Sequence, residues 1–276
     1  MGVTGFARCI GIDFSATRDA GTRLWIAIGV PDGDRLRIED LQPASERFGR
    51  TSLEAIDALA EFLATSADSL VACDACFGLP AALVGESWET WLLRYTYRDA
   101  EDLRAAGRAP DGRKLRRLTD RVSGAPFAPT NLRIYRQTDR WLRTVLRPLV
   151  RTRRVTVAPF QSPEPPKPHL VEVCPAVSLR RWGLTSRGYK GRDERHARVR
   201  IGILAALGEL GLACPPPLAR TAVDQPTGDA LDSLVAVLTA WFQLRDDALH
   251  AALPDDAYRE GWIYVGRPRR PRSSAW

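Results

Sequence analysis

The chain has 276 residues, 45% of them hydrophobic, enough to bury a substantial core as one large domain or two small ones. No apolar run approaches the roughly 20 residues of a membrane span and the first residues show no secretory pattern, so a cytoplasmic protein with reduced thiols and no membrane partner is expected. The net charge of +7 is uneven: residues 98–154 hold sixteen Lys/Arg against six Asp/Glu, leaving the remainder slightly acidic. Such a segment suits a polyanion, DNA or RNA, or else it is the solvated face of helices.

Residues 7–13 read as a short buried strand ending at Asp13, followed by the turn Phe14-Ser15-Ala16. Residues 24–30 form a second strand, and Asp32-Gly33-Asp34 turns the chain into a third at 36–39. Thr51 or Ser52 then caps a helix with Leu53, Ile56, Leu59, Ala60 and Leu63 on one face. Residues 69–74 make a further strand that also finishes on an aspartate, Asp74, before Phe77-Gly78-Leu79-Pro80. A strand–helix–strand crossover makes the first and fourth strands parallel neighbours, which brings Asp13 and Asp74 to one sheet edge. Each also has a plainer reading as a turn-former after a strand.

Residues 81–150 are helical in pattern but polar and interrupted, an insertion with an aromatic patch at Trp88 and 91–97 and a charged, mobile excursion at 98–121. Residues 155–157 suggest a strand, and 162–168 are rich in proline. The next strand, 169–175, carries Glu172 between apolar neighbours, and residues 180–191 read as loop. A helix over 195–210 is stopped by Gly211 and Pro215. Gly228-Asp229-Ala230-Leu231-Asp232 opens the most apolar helix of the chain, with Leu231, Leu234, Val235, Leu238 and Phe242 as its buried stripe. Asp232 lies on the flank of that stripe beside the small residues Ala236 and Thr239, with Asp229 one turn earlier. Capping and helix-dipole roles account for both acids in the plain reading. A short strand at 261–265 and a basic tail at 266–276 close the chain, which contains no internal repeat and is expected to be a single α/β domain.

Asp13, Asp74, Glu172 and Asp232, with Asp229 as the alternative or additional acid on the last helix, form the constellation that phosphodiester hydrolysis by two metal ions requires. Two Mg²⁺ or Mn²⁺ ions roughly 4 Å apart need several hard oxygen ligands drawn from different elements. Competing chemistry is poorly supported. Cys73 and Cys76 have redox spacing but straddle a strand end. A zinc site from Cys73, Cys76, His169 and Cys174 has no recognised spacing, and there is no Gly-x-Ser-x-Gly elbow.

Gly11-Ile12-Asp13-Phe14-Ser15-Ala16, the strand ending at Asp74 before Phe77-Gly78-Leu79-Pro80, and Glu172 to Pro175 carry a family resemblance. Trp182-Gly183-Leu184, Gly188-Tyr189-Lys190-Gly191 and the helix from Leu231 to Ala240 extend it. Together, from about residue 8 to 265, they resemble the family named domain of unknown function 429, described as predicted nucleases of RNase H-like fold. They are similar more remotely to RuvC-type resolvases. The resemblance implies an RNase H-like mixed sheet with flanking helices, in which Asp13 bridges the metals and Asp232 is the ligand from the last helix. Asp74 and Glu172 would complete the shell. Glu172 departs from the resolvase pattern by arising beyond a long insertion. Lys190 or Arg180 would hold a phosphate. Read from the residues alone, Arg181 and Tyr189 lie nearby, and the tryptophans at 88, 91, 141 and 182 read as core, with Trp182 the one to test as a base-stacking platform. Two other classes stand beside the nuclease: a non-catalytic nucleic-acid-binding or interaction module on the same fold, and an actin-like phosphotransferase. The latter needs two glycine-rich phosphate loops, and here Asp13-Phe14-Ser15 lacks the following Gly-Thr.

Overall fold

In a computed structural model, which describes residues 5–49 and 51–266, the apolar runs assemble into one seven-stranded mixed sheet. Its strands are β1 (Arg8–Asp13), β2 (Trp25–Asp32), β3 (Arg35–Pro43), β4 (Ser69–Asp74), β5 (Thr156–Val157), β6 (His169–Glu172) and β7 (Leu212–Ala213). They lie in the order β5-β6-β4-β1-β2-β3-β7. β1, β2 and β3 form an antiparallel meander, whereas β4 and β6 run parallel to β1 on its other side. This is an RNase H-like α/β arrangement, extended by the two-residue edge strands β5 and β7. β1 and β4 are continuous apolar runs because both faces of the sheet centre are covered.

Five helices position the parts that matter for the site: α1 (Ser52–Thr65), α2 (Leu118–Ser123), α3 (Pro175–Arg181), α4 (Glu194–Glu209) and α5 (Asp229–Arg245). Thr51 caps α1 in a reciprocal box with Glu54, worth about 1 kcal/mol. α1 and the insertion cover one face of the sheet, meeting Ile10, Ile12, Val71, Cys73 and Leu170. α4 and α5 cover the other, meeting Cys9, Leu70, Ala72 and Val171. α5 runs across β1, β2 and β4, and every residue from Asp229 to Gln243 is buried. The single stripe expected from periodicity therefore understates it: α5 is a central helix covered all round. It reaches β1 where Gly11 has no side chain, since a Cβ there would stand 2.2 Å from the Ser233 carbonyl oxygen. Among the described residues no helix is long and apolar enough to cross a membrane.

Several expectations need correction. Leu53 is 64% exposed, because α1 packs through Ala55, Ile56, Leu59 and Leu63 instead. The stretch 98–121 is no excursion: it contains the helix Ala100–Ala106 and ends in Arg117 and Asp120, both fully buried. Arg180 and Arg181, expected in a loop, end helix α3, which Pro175 starts at a position where its missing N–H costs nothing. Residues 261–265 make a single bridge, Ile263 to Glu172, and no strand. The basic tail lies outside the described residues beyond Gly266.

Candidate metal centre

The parallel register of β1 and β4 sets Asp13 directly beside Asp74, one strand spacing, about 4.8 Å, apart. Alternation along each strand turns both side chains to the face covered by α5, the face to which Gly11 also points. The close approach at Gly11 draws the first turns of α5 over the end of β1, which delivers Asp229 and Asp232 to the same place. All four aspartates line one cavity of about 810 Å³, a volume typical of ligand sites.

Their partners differ sharply. Neither the Asp13 nor the Asp74 carboxylate accepts a hydrogen bond or ion pair from a described residue. Asp232 is buried and fully engaged: Lys190 Nζ lies 2.7 Å from its Oδ2, and the Tyr189 hydroxyl donates to its Oδ1 at 2.8 Å. Asp229 is held by Arg23 Nε at 3.2 Å and accepts a hydrogen bond from the Thr227 hydroxyl at 2.6 Å. Burial, reinforced by the Asp232, Asp74 and Asp229 charges, pushes the Asp13 carboxyl well above the ordinary range. Burial, then the charge on Asp232, pushes Asp74 up to about 7. Asp232 is raised by burial too, although Lys190 pulls against the rise. Lys190 itself is raised, because the charges of Asp232 and Asp13 outweigh the desolvation that would lower it.

Glu172 lines the same cavity, and its charge adds to the rise of Asp74, but it is engaged differently from the aspartates. It pairs in register with Cys73, not with Asp74, so its side chain leaves the opposite face of the sheet. There it meets Arg117 in a bidentate pair, Nη1 to Oε2 at 2.7 Å and Nη2 to Oε1 at 2.6 Å, and accepts the Phe77 backbone N–H at 2.8 Å. Arg117 also grips Asp120 at 2.8 Å, and all three side chains are buried. Burial works against the charge on Arg117, but Glu172 and Asp120 outweigh it and raise Arg117 well above its ordinary value. Both Glu172 oxygens are thus committed to fastening the insertion to the sheet.

The expected substrate contacts separate in the same way. Arg180 lines the cavity, joined by Arg133 and Arg187. Arg181 points elsewhere and donates to the Val122 carbonyl. Trp182 is core: it is buried, stands edge-on to Phe242 and donates its indole N–H to Gly266. Tyr189 is buried beneath Lys190, as a support for Asp232. Sequence reasoning missed Arg117, Asp120 and Arg23, and also Glu260, which accepts the backbone N–H groups of Ala81 and Leu118 and ties the insertion down a second time. None of these stands in a motif, and their partners lie between 3 and 206 positions away in the chain.

The donor set is made of hard carboxylate oxygens, the chemistry that suits Mg²⁺ or Mn²⁺ rather than a soft-ligand metal. As the side chains stand, no three or more His, Cys, Asp or Glu among the described residues are gathered closely enough to hold an ion. The Lys190 ammonium stands among the aspartates instead. The five cysteines are free thiols, and His169 pairs with the Thr156 hydroxyl at 2.7 Å, not with a cysteine.

Comparison with curated proteins found no match, and neither did comparison with solved structures. Residues 11–259, a span that takes in every acid of the cavity, match the family described as Protein of unknown function (DUF429), and the chain belongs to that family.

Proposed function

We propose that this cavity is a divalent-metal centre that hydrolyses phosphodiester bonds in nucleic acid. The observation that carries the proposal is the register pair Asp13 and Asp74, two adjacent carboxylates with no hydrogen-bonding partner among the described residues, over which α5 places two more. Desolvated like charges side by side are costly, and a divalent cation is the simplest group that relieves them. Asp13 and Asp74 would hold it, with Asp232 joining once Lys190 withdraws. Mg²⁺ or Mn²⁺ there would activate a water and stabilise the leaving oxygen.

The chain's own residues supply the remaining work. Arg133, Arg180 and Arg187 line the same cavity and offer positive charge to a phosphate. Arg23 and Thr227 orient Asp229, and Tyr189 orients Asp232. Glu172 serves as a positioning residue: through Phe77 N–H it fixes the turn that follows Asp74. A cytoplasmic location agrees with this reading.

Calorimetric titration with Mn²⁺, comparing wild type with a folded Asp13→Asn variant, tests the proposal. Binding in the micromolar to millimolar range that disappears in the variant is expected. Cleavage of single-stranded, duplex and branched DNA and RNA would then identify the substrate. Well-folded wild type that binds no Mn²⁺ would overturn the reading in favour of a non-catalytic nucleic-acid-binding module.

A further inference from the structure

Lys190 occupies an unusual position. Its backbone is fixed: Arg200 Nη1 donates to the carbonyls of Tyr189 at 2.6 Å and Gly191 at 3.0 Å, while Gly191 N–H donates to Pro226 at 2.7 Å. Gly188 at φ +76° and Gly191 at φ +152° let the chain turn sharply on either side. A side chain at Gly228 would strike the Tyr189 ring at 2.8 Å, so this loop lies directly on the start of α5. From that anchored backbone the side chain crosses the Tyr189 ring, with Nζ 5.5 Å from its centroid, and ends against Asp232. The side chain is 53% exposed along its length although its head lies in the acid cluster. It is therefore an arm with a fixed shoulder and a free elbow.

Charge counting shows what that arm does. Five acids and six cations line the cavity: Arg117 holds Glu172, Arg23 compensates Asp229 at the rim, and Arg133, Arg180 and Arg187 make no ion pair with the aspartates among the described residues. Lys190 supplies a second positive charge, which acts on Asp13 and Asp229 as well as on Asp232. Asp13 and Asp74 are then the two carboxylates of the cluster without an ion-pair partner among the described residues, and one divalent ion would balance them. A second divalent ion would need the oxygen of Asp232 that Lys190 holds.

We propose that Lys190 is a built-in cation that fills one of two positive-charge positions in the centre, so that the resting protein takes a single divalent ion. The inference rests on the metal-centre reading above and revises the two-ion expectation drawn from the sequence. Lys190 neutralises Asp232 before any ion arrives, and its free arm can carry that charge onto a phosphate when the substrate enters.

The test is Mn²⁺ titration, by calorimetry and by electron paramagnetic resonance, of wild type, Lys190→Met and Lys190→Arg. Wild type and Lys190→Arg are expected to bind one ion per chain. Lys190→Met is expected to bind two, the first at least about tenfold more tightly than in wild type, since removing a cation this close strengthens the attraction for another. A second readout needs no metal. In EDTA at pH 8, Lys190→Met should melt below wild type, and adding Asp13→Asn should restore most of the loss, because the uncompensated charge is then gone. Equal stoichiometry and affinity in wild type and Lys190→Met, or no rescue by Asp13→Asn, would overturn the inference while leaving the metal centre intact. Absence of Mn²⁺ binding in every variant would overturn the centre itself, and this inference with it.

Discussion

Replacing Asp74 with Asn should make the metal-free protein more stable, and only towards neutral and alkaline pH. Burial, with the charge on Asp232 behind it, pushes the Asp74 carboxyl up to about 7 against the pull of Lys190, whereas an ordinary aspartate titrates at 3.8. Between those two values the folded chain keeps a proton that the unfolded chain has released. Stability therefore falls as pH rises through the interval, by about 1.4 kcal/mol per unit. From 3.8 to about 7 the interval is roughly three units, so by pH 8 the ionised carboxylate costs the fold at most about 4 kcal/mol. Rotation of the side chain into the open cavity, and entry of water, relieve part of that. We expect Asn to recover about 2 kcal/mol, a rise in Tm of roughly 4–8 °C for a chain of this size. Below pH 4 the proton is bound in both states and the variant gains nothing. Thermal and urea unfolding in EDTA at pH 4, 6 and 8 read the effect directly. An Asp74→Asn protein no more stable than wild type at pH 8, or equally favoured at pH 4, would refute the picture of an uncompensated acid pair.

Three further outcomes follow from buried groups elsewhere. Arg117→Met leaves Glu172 and Asp120 buried without their partner, which should cost about 3–5 kcal/mol in urea unfolding. Adding Glu172→Gln should return part of it, and Glu172→Gln alone, if folded, should still bind Mn²⁺. Burial lowers His169 to about 4 from 6.5, so the folded chain keeps it neutral where the unfolded chain protonates it. That contribution is lost as pH falls from 6.5 towards 4, by up to about 3 kcal/mol, and His169→Gln should flatten this part of the urea stability profile. Trp182→Ala should cost about 3–5 kcal/mol as a core truncation, whereas Trp182→Phe should leave any nucleic-acid affinity measured by anisotropy unchanged.

The sheet centre was legible because its strands are apolar runs of the right length closed by turn residues. β1, β4 and their crossover helix could be read closely enough to pair Asp13 with Asp74. Edge elements were not: β7 has two residues, and nothing in Leu212 and Ala213 distinguishes them from the end of a helix. Glu172 shows the limit more sharply. Its presence in an apolar strand signalled a special role, and its residue type suited a metal. Which face it occupies depends on registering β6 against β4 by one residue, and one residue is the difference between Asp74 and Arg117 as its neighbour. The family resemblance points to Lys190 as a candidate phosphate-holding cation, yet sequence cannot say whether its ammonium meets a substrate phosphate or the protein's own carboxylates.

The basic segment poses the same problem of partners, and salt dependence resolves it. Residues 98–154 carry an excess of ten positive charges. Were they the footprint of a nucleic acid, the logarithm of affinity would fall with the logarithm of salt at a slope near −7 for a single strand. Many of these arginines are already committed. Arg117 is buried between two acids, Arg104 and Arg136 share Glu101, Arg143 sits on Asp139, and Arg154 pairs with Glu61. Of the cations that line the cavity, Arg23, Lys190 and Arg117 are held by Asp229, Asp232 and Glu172, which leaves Arg133, Arg180 and Arg187 for a phosphate, and of these three only Arg133 belongs to the segment. Three phosphate contacts give a slope of about −2. Anisotropy titrations of a labelled single strand with the Asp13→Asn variant, between 50 and 400 mM KCl, separate the two cases. A slope near −2 that becomes shallower in Arg187→Ala places the strand at the cavity mouth. A slope of −6 or steeper, insensitive to Arg187, would move the footprint onto the outer face of the insertion and detach binding from the acid cluster.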